Sequence, residues 1–194
     1  MTLDASSAKS ELRRRLRALR RELAAANPGA AEAAAAHLPA GLAGEARVVA
    51  AYHPVGAEID PRPALLALQR QSGAGASLAL PVTVDRDSPL EFRLWAPDAV
   101  LARDAMGAQA PGPDAPLVTP DLVMTPLLAF DRFGGRLGQG GGHYDRTLAE
   151  LRGAGSVFVL GLAYAGQEVD RLELDAHDQR LDAILTETGY REFR

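Results

Sequence analysis

The segment from Arg136 to Asp145 constrains the fold more than any other, because it places four glycines between a cation and a carboxylate. Glycine adopts positive φ at little cost, so the segment predicts a tight turn in which successive backbone N–H groups can converge on an anion. A helix that begins near His143 adds the partial positive charge of its N-terminus. The segment therefore predicts a phosphate site, in which Arg136 neutralises phosphate oxygens and Asp145 holds Mg²⁺.

Two common glycine motifs do not fit this segment. It lacks the Gly-Lys-Ser/Thr ending of a P-loop, and its glycine spacing differs from that of the dinucleotide-binding fingerprint. A flexible surface loop is the alternative, but such linkers usually mix glycine with serine. Here an arginine and a Tyr-Asp pair bracket the glycines. Generic rules thus predict a nucleotide or phosphate site and go no further.

The rest of the chain alternates helical and extended patterns. A leucine stripe from 12 to 23 predicts a first helix over 7–25, with Lys9 and Arg13 on one face. The patterns also predict helices over 30–38, 60–69 and 144–152, and strands over 47–52, 77–82, 90–95, 121–124 and 156–162. Residues 182–186 fit a strand or a helix, and residues 96–120, with five prolines, predict a long irregular connection.

Strands that alternate with helices at these lengths indicate an α/β fold. We expect a single three-layer domain over 1–194, with a mainly parallel or mixed sheet flanked by helices. In such sheets ligands bind beyond the carboxyl ends of the strands. The glycine turn and the loop that carries Glu58 both follow predicted strands, so we expect them to meet in one cleft.

Composition narrows the class of protein. The formal net charge of −4 argues against general nucleic-acid binding, which normally needs a basic surface. The absence of cysteine excludes disulfides, thiolate metal sites and a cysteine nucleophile, and it fits a cytoplasmic protein. Charges at residues 4, 9 and 11 leave no apolar N-terminal stretch for a signal peptide or a membrane span. We therefore expect neither nucleic acid nor membrane as a partner.

Lys9 is the only lysine among 21 basic residues. A compact ammonium on a flexible stem is a common choice for ATP phosphates, whereas arginine prefers fork-like contacts. A single lysine on a solvated helix face is the alternative, and composition alone leaves both open.

One long string resembles the signature of a known family. Residues 121–126, Asp-Leu-Val-Met-Thr-Pro, precede residues 129–146, Ala-Phe-Asp-Arg-Phe-Gly-Gly-Arg-Leu-Gly-Gln-Gly-Gly-Gly-His-Tyr-Asp-Arg. Together they closely resemble the signature of 5-formyltetrahydrofolate cyclo-ligases, also called 5,10-methenyltetrahydrofolate synthetases. The resemblance extends to Lys9 and Arg13, to 52–60 with Glu58, and to 177–178 and 181–182. These anchors cover nearly the whole chain.

The resemblance implies an ATP- and Mg²⁺-dependent enzyme. Its substrate is 5-formyltetrahydrofolate, with or without a polyglutamate tail, and its products are 5,10-methenyltetrahydrofolate, ADP and phosphate. Phosphorylation of the formyl oxygen turns a poor electrophile into one with a leaving group, after which N10 attacks the formyl carbon and phosphate departs. Phosphoryl transfer mostly requires positioning and neutralisation of charge, so no side-chain nucleophile is needed.

The resemblance also implies roles for particular residues. Arg136 and Asp145 are the expected catalytic residues, and Asp145 and Asp182 are the expected Mg²⁺ ligands. ATP contacts are expected from Lys9, Arg13, Arg136, Leu137, Gly138, Gln139, Gly140, Gly141, Gly142, His143 and Tyr144. Folate contacts are expected from His53, Glu58, Gln139, Gly140, Gly141, Gly142 and His143. An ionised Glu58 suits the pterin, whose amino and ring N–H groups are donors; without the resemblance, a solvated charge would be the better interpretation.

Three positions depart from many members of that family. Gln139 and Gly141 stand where some members carry basic side chains, and His143 stands where an aromatic residue is more common. The loss of side-chain cations lowers the expected affinity for substrate, while the backbone nest survives. His143 either stacks on or titrates beside a ligand, or it caps the following helix, and the sequence leaves both open.

Two other functions remain open on the sequence alone. One is a folate-binding protein without turnover, which would not need the ATP and metal residues. The other is a sugar-phosphate enzyme on a similar fold, which would ignore ATP. For assembly we expect a monomer or a weak homodimer.

Overall fold

The computed structural model describes residues 5–73 and 75–193. Within these residues the α-helices are α1 (Ala5–Ala26), α2 (Ala30–Ala36), α3 (Arg62–Gln71) and α4 (His143–Ala154). The strands are β1 (Val48–Ala50), β2 (Ser77–Val82), β3 (Glu91–Leu94), β4 (Ala102–Arg103), β5 (Gln109–Ala110), β6 (Leu122–Pro126), β7 (Ala129–Asp131), β8 (Arg136–Leu137), β9 (Phe158–Leu162), β10 (Glu168–Val169), β11 (Ala183–Thr186) and β12 (Gly189–Glu192). A short 3₁₀ helix covers Ala165–Gln167.

The predicted long elements are confirmed, each to within two residues at both ends. Of the two alternatives for 182–186, the strand is confirmed as β11. The β7–β8 hairpin before the glycine turn was missed, and the connection over 96–120 is not wholly irregular, because it contains the β4–β5 hairpin. β4, β5 and β8 have only two residues each, which is too short for a periodic pattern to be read from the sequence.

A mixed seven-stranded sheet forms the centre of the molecule, in the order β12-β11-β9-β6-β1-β2-β3. The five central strands are parallel to one another, and the edge strands β12 and β3 run antiparallel to their neighbours. Two small sheets, β10-β7-β8 and β4-β5, complete the structure of the described residues. The expected mixed α/β sheet is thus confirmed.

Helices cover both faces of the large sheet. Consecutive residues of a strand point to opposite faces, so each buried strand contributes side chains to two cores. Val49 of β1 packs in a core with Leu65 and Leu68 of α3, whereas Ala50 packs in the opposite core with Leu148 of α4. This arrangement gives the expected three layers. None of the described helices is both long enough and apolar enough to cross a membrane.

Asp131 closes the β7–β8 turn and ties it to a neighbouring segment. Its buried carboxylate accepts hydrogen bonds from the backbone N–H groups of Phe133 (2.9 Å), Gly135 (2.8 Å) and Leu172 (2.9 Å). Burial works against the charged form, but the backbone donors outweigh it and hold the pKa of Asp131 below its ordinary value of 3.8. The hairpin that leads into the glycine turn therefore depends on one ionised side chain.

We expect Asp131→Asn to lower the free energy of unfolding by about 2 kcal/mol at pH 7, because a buried N–H loses its acceptor. The carboxylate has a lower pKa in the folded state, so its stabilisation is present above the unfolded pKa and is lost as the pH falls through the folded value. In urea unfolding, the difference from wild type should shrink below about pH 4. Asp98→Asn, at an exposed turn, is the control. A difference that does not change with pH would contradict this account.

Candidate active site

A cleft of about 610 Å³ opens at the carboxyl ends of the central strands. Tyr52 and His53 follow β1, Thr83 follows β2 and Leu127 follows β6, and all four line the cleft. The expected convergence of the glycine turn and the Glu58 loop is present. The predicted site residues that line the cleft are Lys9, Arg13, His53, Glu58, Arg136, Leu137, Gly138, Gln139, Gly140, Gly141, Gly142, His143, Tyr144 and Asp145.

The glycine turn adopts a backbone that other residues rarely adopt. Gly140 has φ of 102°, and Gly142, the residue before α4, has φ of 69°. A Cβ on Gly140 would lie 3.2 Å from Cζ of Arg13, and one on Gly142 would lie 2.6 Å from Nη1 of Arg146. The backbone conformation therefore favours glycine at these positions, and a Cβ would also displace the ends of the two arginine side chains. The turn places the N-terminus of α4 at the cleft, where its free N–H groups favour an anion.

Helix α1 lays a row of cations along the cleft and the glycine turn. Arg13 Nε donates to the carbonyl of Gly138 at 3.2 Å, and Arg17 Nε donates to Oε1 of Gln139 at 2.8 Å. Sequence reasoning missed Arg17, although its spacing of four from Arg13 predicts that both share one helix face. The side chain of Gln139 thus fastens the turn to α1.

Lys9 ends this row of cations at the mouth of the cleft. Its Nζ lies 2.7 Å from Oδ2 of Asp175, in the segment between β10 and β11. The hydrogen bond to Asp175 raises the pKa of Lys9 and lowers the pKa of Asp175. Both groups are therefore charged at neutral pH, and Lys9 faces the cleft as a cation.

Arg136 and Asp145 form an ion pair inside the cleft. Arg136 Nη2 lies 2.6 Å from Oδ1 of Asp145, and the arginine side chain is only 3% exposed. The same Oδ1 accepts from the backbone N–H of Gln179 at 3.0 Å. Among the described residues, Oδ2 of Asp145 has no hydrogen-bond donor, and the buried Nε of Arg136 has no acceptor. Each partner thus keeps one atom available for a ligand.

Glu58 is held in an ion pair and is not the solvated charge that its sequence context suggests. Its Oε1 lies 3.1 Å from Nη1 of Arg20, and both side chains are 8% exposed. Its Oε2 accepts from the backbone N–H of Val55 at 2.9 Å. The hydroxyl of Tyr52 donates to the carbonyl of Ile59 at 2.7 Å and fixes the same loop. Sequence reasoning missed Arg20.

His143 lines the cleft as the first residue of α4. Its Nδ1 lies 3.3 Å from the carbonyl oxygen of Ser88 and 3.2 Å from Nη2 of Arg146. Arg146 also donates to the carbonyl of Gly141 at 3.0 Å. These contacts, and not a bond to the free N–H groups of the helix, fix the ring, so the capping alternative is wrong. Arg146 was not predicted from the sequence.

The structure separates Asp182 from the cleft, and the expected pair of metal ligands is corrected here. Asp182 precedes β11, at the amino end of a strand that is parallel to β9, whereas the cleft lies at the carboxyl ends. Its Oδ2 accepts from the backbone N–H of Val159 at 2.7 Å and lies 3.1 Å from Nη2 of Arg152. Asp182 therefore stabilises the opposite end of the sheet, at the amino ends of the parallel strands.

Two further segments complete the cleft, and the sequence assigned no site residue to either of them, although 177–178 belong to the family resemblance. The segment before β11 contributes Leu172, Asp175 and Asp178, and the β4–β5 hairpin contributes Asp104 and Gln109. The hairpin is fixed to the sheet because Asp104 Oδ2 accepts from the backbone N–H of Thr83 at 2.9 Å. The order of the strands in the sheets, and not a local sequence pattern, brings both segments to the cleft.

Among the described residues, no three His, Asp or Glu side chains are close enough to form a metal site by themselves. Mg²⁺ commonly takes one or two carboxylates and completes its shell with phosphate oxygens and water. Asp145, with its free Oδ2, fits that donor set. A metal at this place would depend on a bound phosphate.

An α/β sheet whose strand ends carry a glycine turn, a row of cations and a carboxylate defines a protein that binds a phosphorylated ligand. The family model of 5-formyltetrahydrofolate cyclo-ligases matches residues 5–187. The chain belongs to the 5-formyltetrahydrofolate cyclo-ligase family.

Individual relatives agree with the family model. The 5-formyltetrahydrofolate cyclo-ligase of Mycolicibacterium smegmatis is 34% identical over 186 residues, which cover 92% of this chain and 93% of that protein. The enzyme of the same name from Escherichia coli K12 is 34% identical over 146 residues, covering 73% and 78%. The solved structure of the 5,10-methenyltetrahydrofolate synthetase of Aquifex aeolicus is 28% identical with a TM-score of 0.71, covering 96% and 93%. A synthetase from Mycoplasma pneumoniae, 22% identical with a TM-score of 0.66 and covering 92% and 98%, shares the fold.

Proposed function

We propose that the protein converts 5-formyltetrahydrofolate into 5,10-methenyltetrahydrofolate in this cleft. The cleft would also bind Mg²⁺ and ATP, and the ATP would be converted into ADP and phosphate. The chain is an enzyme of the cyclo-ligase type, because the family model covers residues 5–187 and curated relatives carry that name over most of its length. One observation carries the proposal to particular residues: the glycine turn, three cations, Asp145 and Glu58 line one cleft.

The residues present fit ATP. Positive φ at Gly140 and Gly142 supports a backbone nest, and the N-terminus of α4 opens into the same space. The buried Nε of Arg136 lacks an acceptor among the described residues, and a phosphate oxygen would supply one. Lys9 and Arg13 approach from α1 and neutralise the remaining charge.

Mg²⁺ fits at Asp145 without Asp182. The carboxylate of Asp145 uses Oδ1 for Arg136 and Gln179, which orients the group, and Oδ2 faces no donor among the described residues. A carboxylate that is fixed through one oxygen can bind a cation through the other, while phosphates complete the shell.

We propose that the folate binds around Glu58 in the same cleft. The apolar residues Pro81, Leu90 and Leu127 line this cleft together with Glu58 and His53. A flat pterin ring can pack on such apolar side chains while its amino and ring N–H groups donate to the carboxylate. We propose that Glu58 and His53 orient the folate in this way.

Bound ATP supplies the phosphoryl group that turns the formyl oxygen into a leaving group. The chain itself contributes position and charge: Lys9, Arg13 and Arg136 neutralise phosphate oxygens, and the glycine turn holds them through backbone N–H groups. Glu58 fixes the pterin so that the formyl carbon and N10 stay close together. A side-chain nucleophile is not required.

We also propose that residues 1–194 act as one domain, because a single sheet joins strands from Val48 to Glu192. We further propose that the chain acts as a monomer or a weak homodimer. A folate-binding protein without turnover would not need the cations and Asp145, and family membership argues against a sugar-phosphate enzyme.

The test is to mix the purified protein with 5-formyltetrahydrofolate and MgATP and to follow the near-ultraviolet absorbance of the methenyl product. A rise that requires all three components supports the proposal. Folate binding without any rise would favour the non-catalytic binder, and the absence of both would refute the assignment. The sedimentation coefficient of the protein during turnover would show whether the active form is a monomer or a dimer.

Lys9→Ala should raise the Kd for ATP by about tenfold or more, because it removes one charge-assisted contact worth about 1.5 to 3 kcal/mol. Titration with a non-hydrolysable ATP analogue and Mg²⁺ would measure this. Arg14→Ala is the matched control, because Arg14 lies on the same helix, is 77% exposed and pairs only with Glu11 among the described residues. Equal Kd values in wild type and Lys9→Ala would show that Lys9 does not contact ATP and is only a solvated charge on α1.

A further inference from the structure

Arg20 lies behind the folate subsite and contacts it from within the protein. Among the described residues, Glu58 lines the cleft and Arg20 does not, although their charged groups are 3.1 Å apart. Arg20 as a whole is 7% exposed, so its guanidinium approaches the carboxylate from the buried side. One edge of the carboxylate is held, and the cleft side stays free for a ligand.

The same nitrogen of Arg20 also holds a second wall of the cleft. Nη1 donates to the carbonyl of Leu127 at 3.3 Å, just beyond the carboxyl end of β6. Gln167 Nε2 donates to the same carbonyl at 3.0 Å, and the backbone N–H of Tyr164 donates to Oε1 of Gln167 at 2.9 Å. Arg20 therefore joins α1, the Glu58 loop and the end of β6 through a buried polar network.

Glu58 needs such a partner to act on a folate. A carboxylate that is buried to this degree needs an opposite charge close by, because that charge offsets the loss of contact with water. Arginine remains protonated at every pH at which proteins fold. The hydrogen bond from Val55 orients the second oxygen but brings no charge.

We propose that Arg20 is a positioning residue for the folate: it holds the carboxylate of Glu58 in place, and the carbonyl of Leu127 in turn anchors the Arg20 side chain. The proposal rests on the function proposed above, in which Glu58 contacts the pterin. Arg20 acts through Glu58 and touches neither substrate. Loss of Arg20 should therefore weaken folate binding and leave the nucleotide subsite unchanged.

The first measurement is the Kd of 5-formyltetrahydrofolate, by titration calorimetry in the absence of ATP. Arg20→Met removes the charge and both hydrogen bonds, and we expect it to raise this Kd by about tenfold. The Kd of a non-hydrolysable ATP analogue with Mg²⁺ should stay within about twofold. Arg20→Lys should recover part of the folate affinity, because one ammonium can replace the single nitrogen that makes both contacts. Arg21→Met, the exposed neighbour, is the matched control for charge.

A double-mutant cycle separates positioning from general support of the fold. In a Glu58→Gln background, Arg20→Met should change the folate Kd by less than about twofold, because the group it acts through is gone. An additive effect would overturn the proposal, as would an unchanged Kd in Arg20→Met. If Arg20→Met does not fold, Arg20→Lys and the double variant, in which no buried charge is left unpaired, give the same test. Unchanged folate affinity in Glu58→Gln alone would instead refute the proposed role of Glu58.

Discussion

Asp145→Asn should lower kcat by on the order of a hundredfold, the usual cost of removing one preorganised electrostatic group from an active site. Asparagine retains an oxygen that can accept from Arg136 and from the N–H of Gln179, so the local geometry should survive. The negative charge that we propose for Mg²⁺ is lost. The rate of methenyl formation at saturating substrates, measured over a range of Mg²⁺ concentrations, should show a lower maximum and a higher Mg²⁺ requirement.

Asp182→Asn is the matched control for this prediction, because the sequence alone assigns both carboxylates to the metal. Asp182 binds Arg152 and the N–H of Val159 at the opposite end of the sheet. We expect its substitution to lower the midpoint of thermal unfolding and to leave the Mg²⁺ requirement unchanged. Equal losses of turnover in the two variants would instead support Asp182 as a metal ligand. Turnover at the wild-type rate in Asp145→Asn would refute the proposal that Asp145 binds Mg²⁺.

The contrast between these two aspartates shows which part of a site a sequence can predict. The glycine turn is readable because its chemistry is local: positive φ, free N–H groups and the flanking Arg136 and Asp145 lie within ten residues. Asp182 follows a stretch that resembles the family, but its place depends on which end of β11 it occupies. That is a property of the sheet order, which pairs β11 with β9.

The partners of the predicted residues depend on tertiary structure in the same way. Glu58 has the sequence context of an exposed acid, and only the crossing of α1 over the Glu58 loop brings Arg20 to it. Arg17 and Arg20 could have been suspected from helical spacing, since both follow Arg13 on nearly the same face. Their acceptors, 122 and 38 residues away in the chain, could not. Spacing thus predicts the donor face of a helix, and packing decides what that face contacts.

Gly140→Ala should raise the Kd for ATP by about thirtyfold, a change of about 2 kcal/mol. A left-handed backbone costs a residue with a Cβ roughly 1 to 2 kcal/mol, so we expect the free turn to relax away from the conformation that ATP binding must then restore. The new methyl group would also lie 3.2 Å from Cζ of Arg13, which must move away from the turn. The nest and one of its cations are therefore disturbed together. Titration with a non-hydrolysable ATP analogue and Mg²⁺ would measure the change, and the folate Kd should show how far the disturbance extends.

Gly41→Ala provides the control for backbone strain. Gly41 has φ of 77°, is exposed, and has no atom within 4 Å of the position of a Cβ. Gly41→Ala should lower the free energy of unfolding by roughly 1 to 2 kcal/mol, because it forces a side chain into the left-handed region, and Gly140→Ala should lower it by no more than that amount. Only Gly140→Ala should weaken ATP binding. If both variants bind ATP as tightly as wild type, the glycine turn is not the phosphate cradle, and the cations of α1 must hold the nucleotide without it.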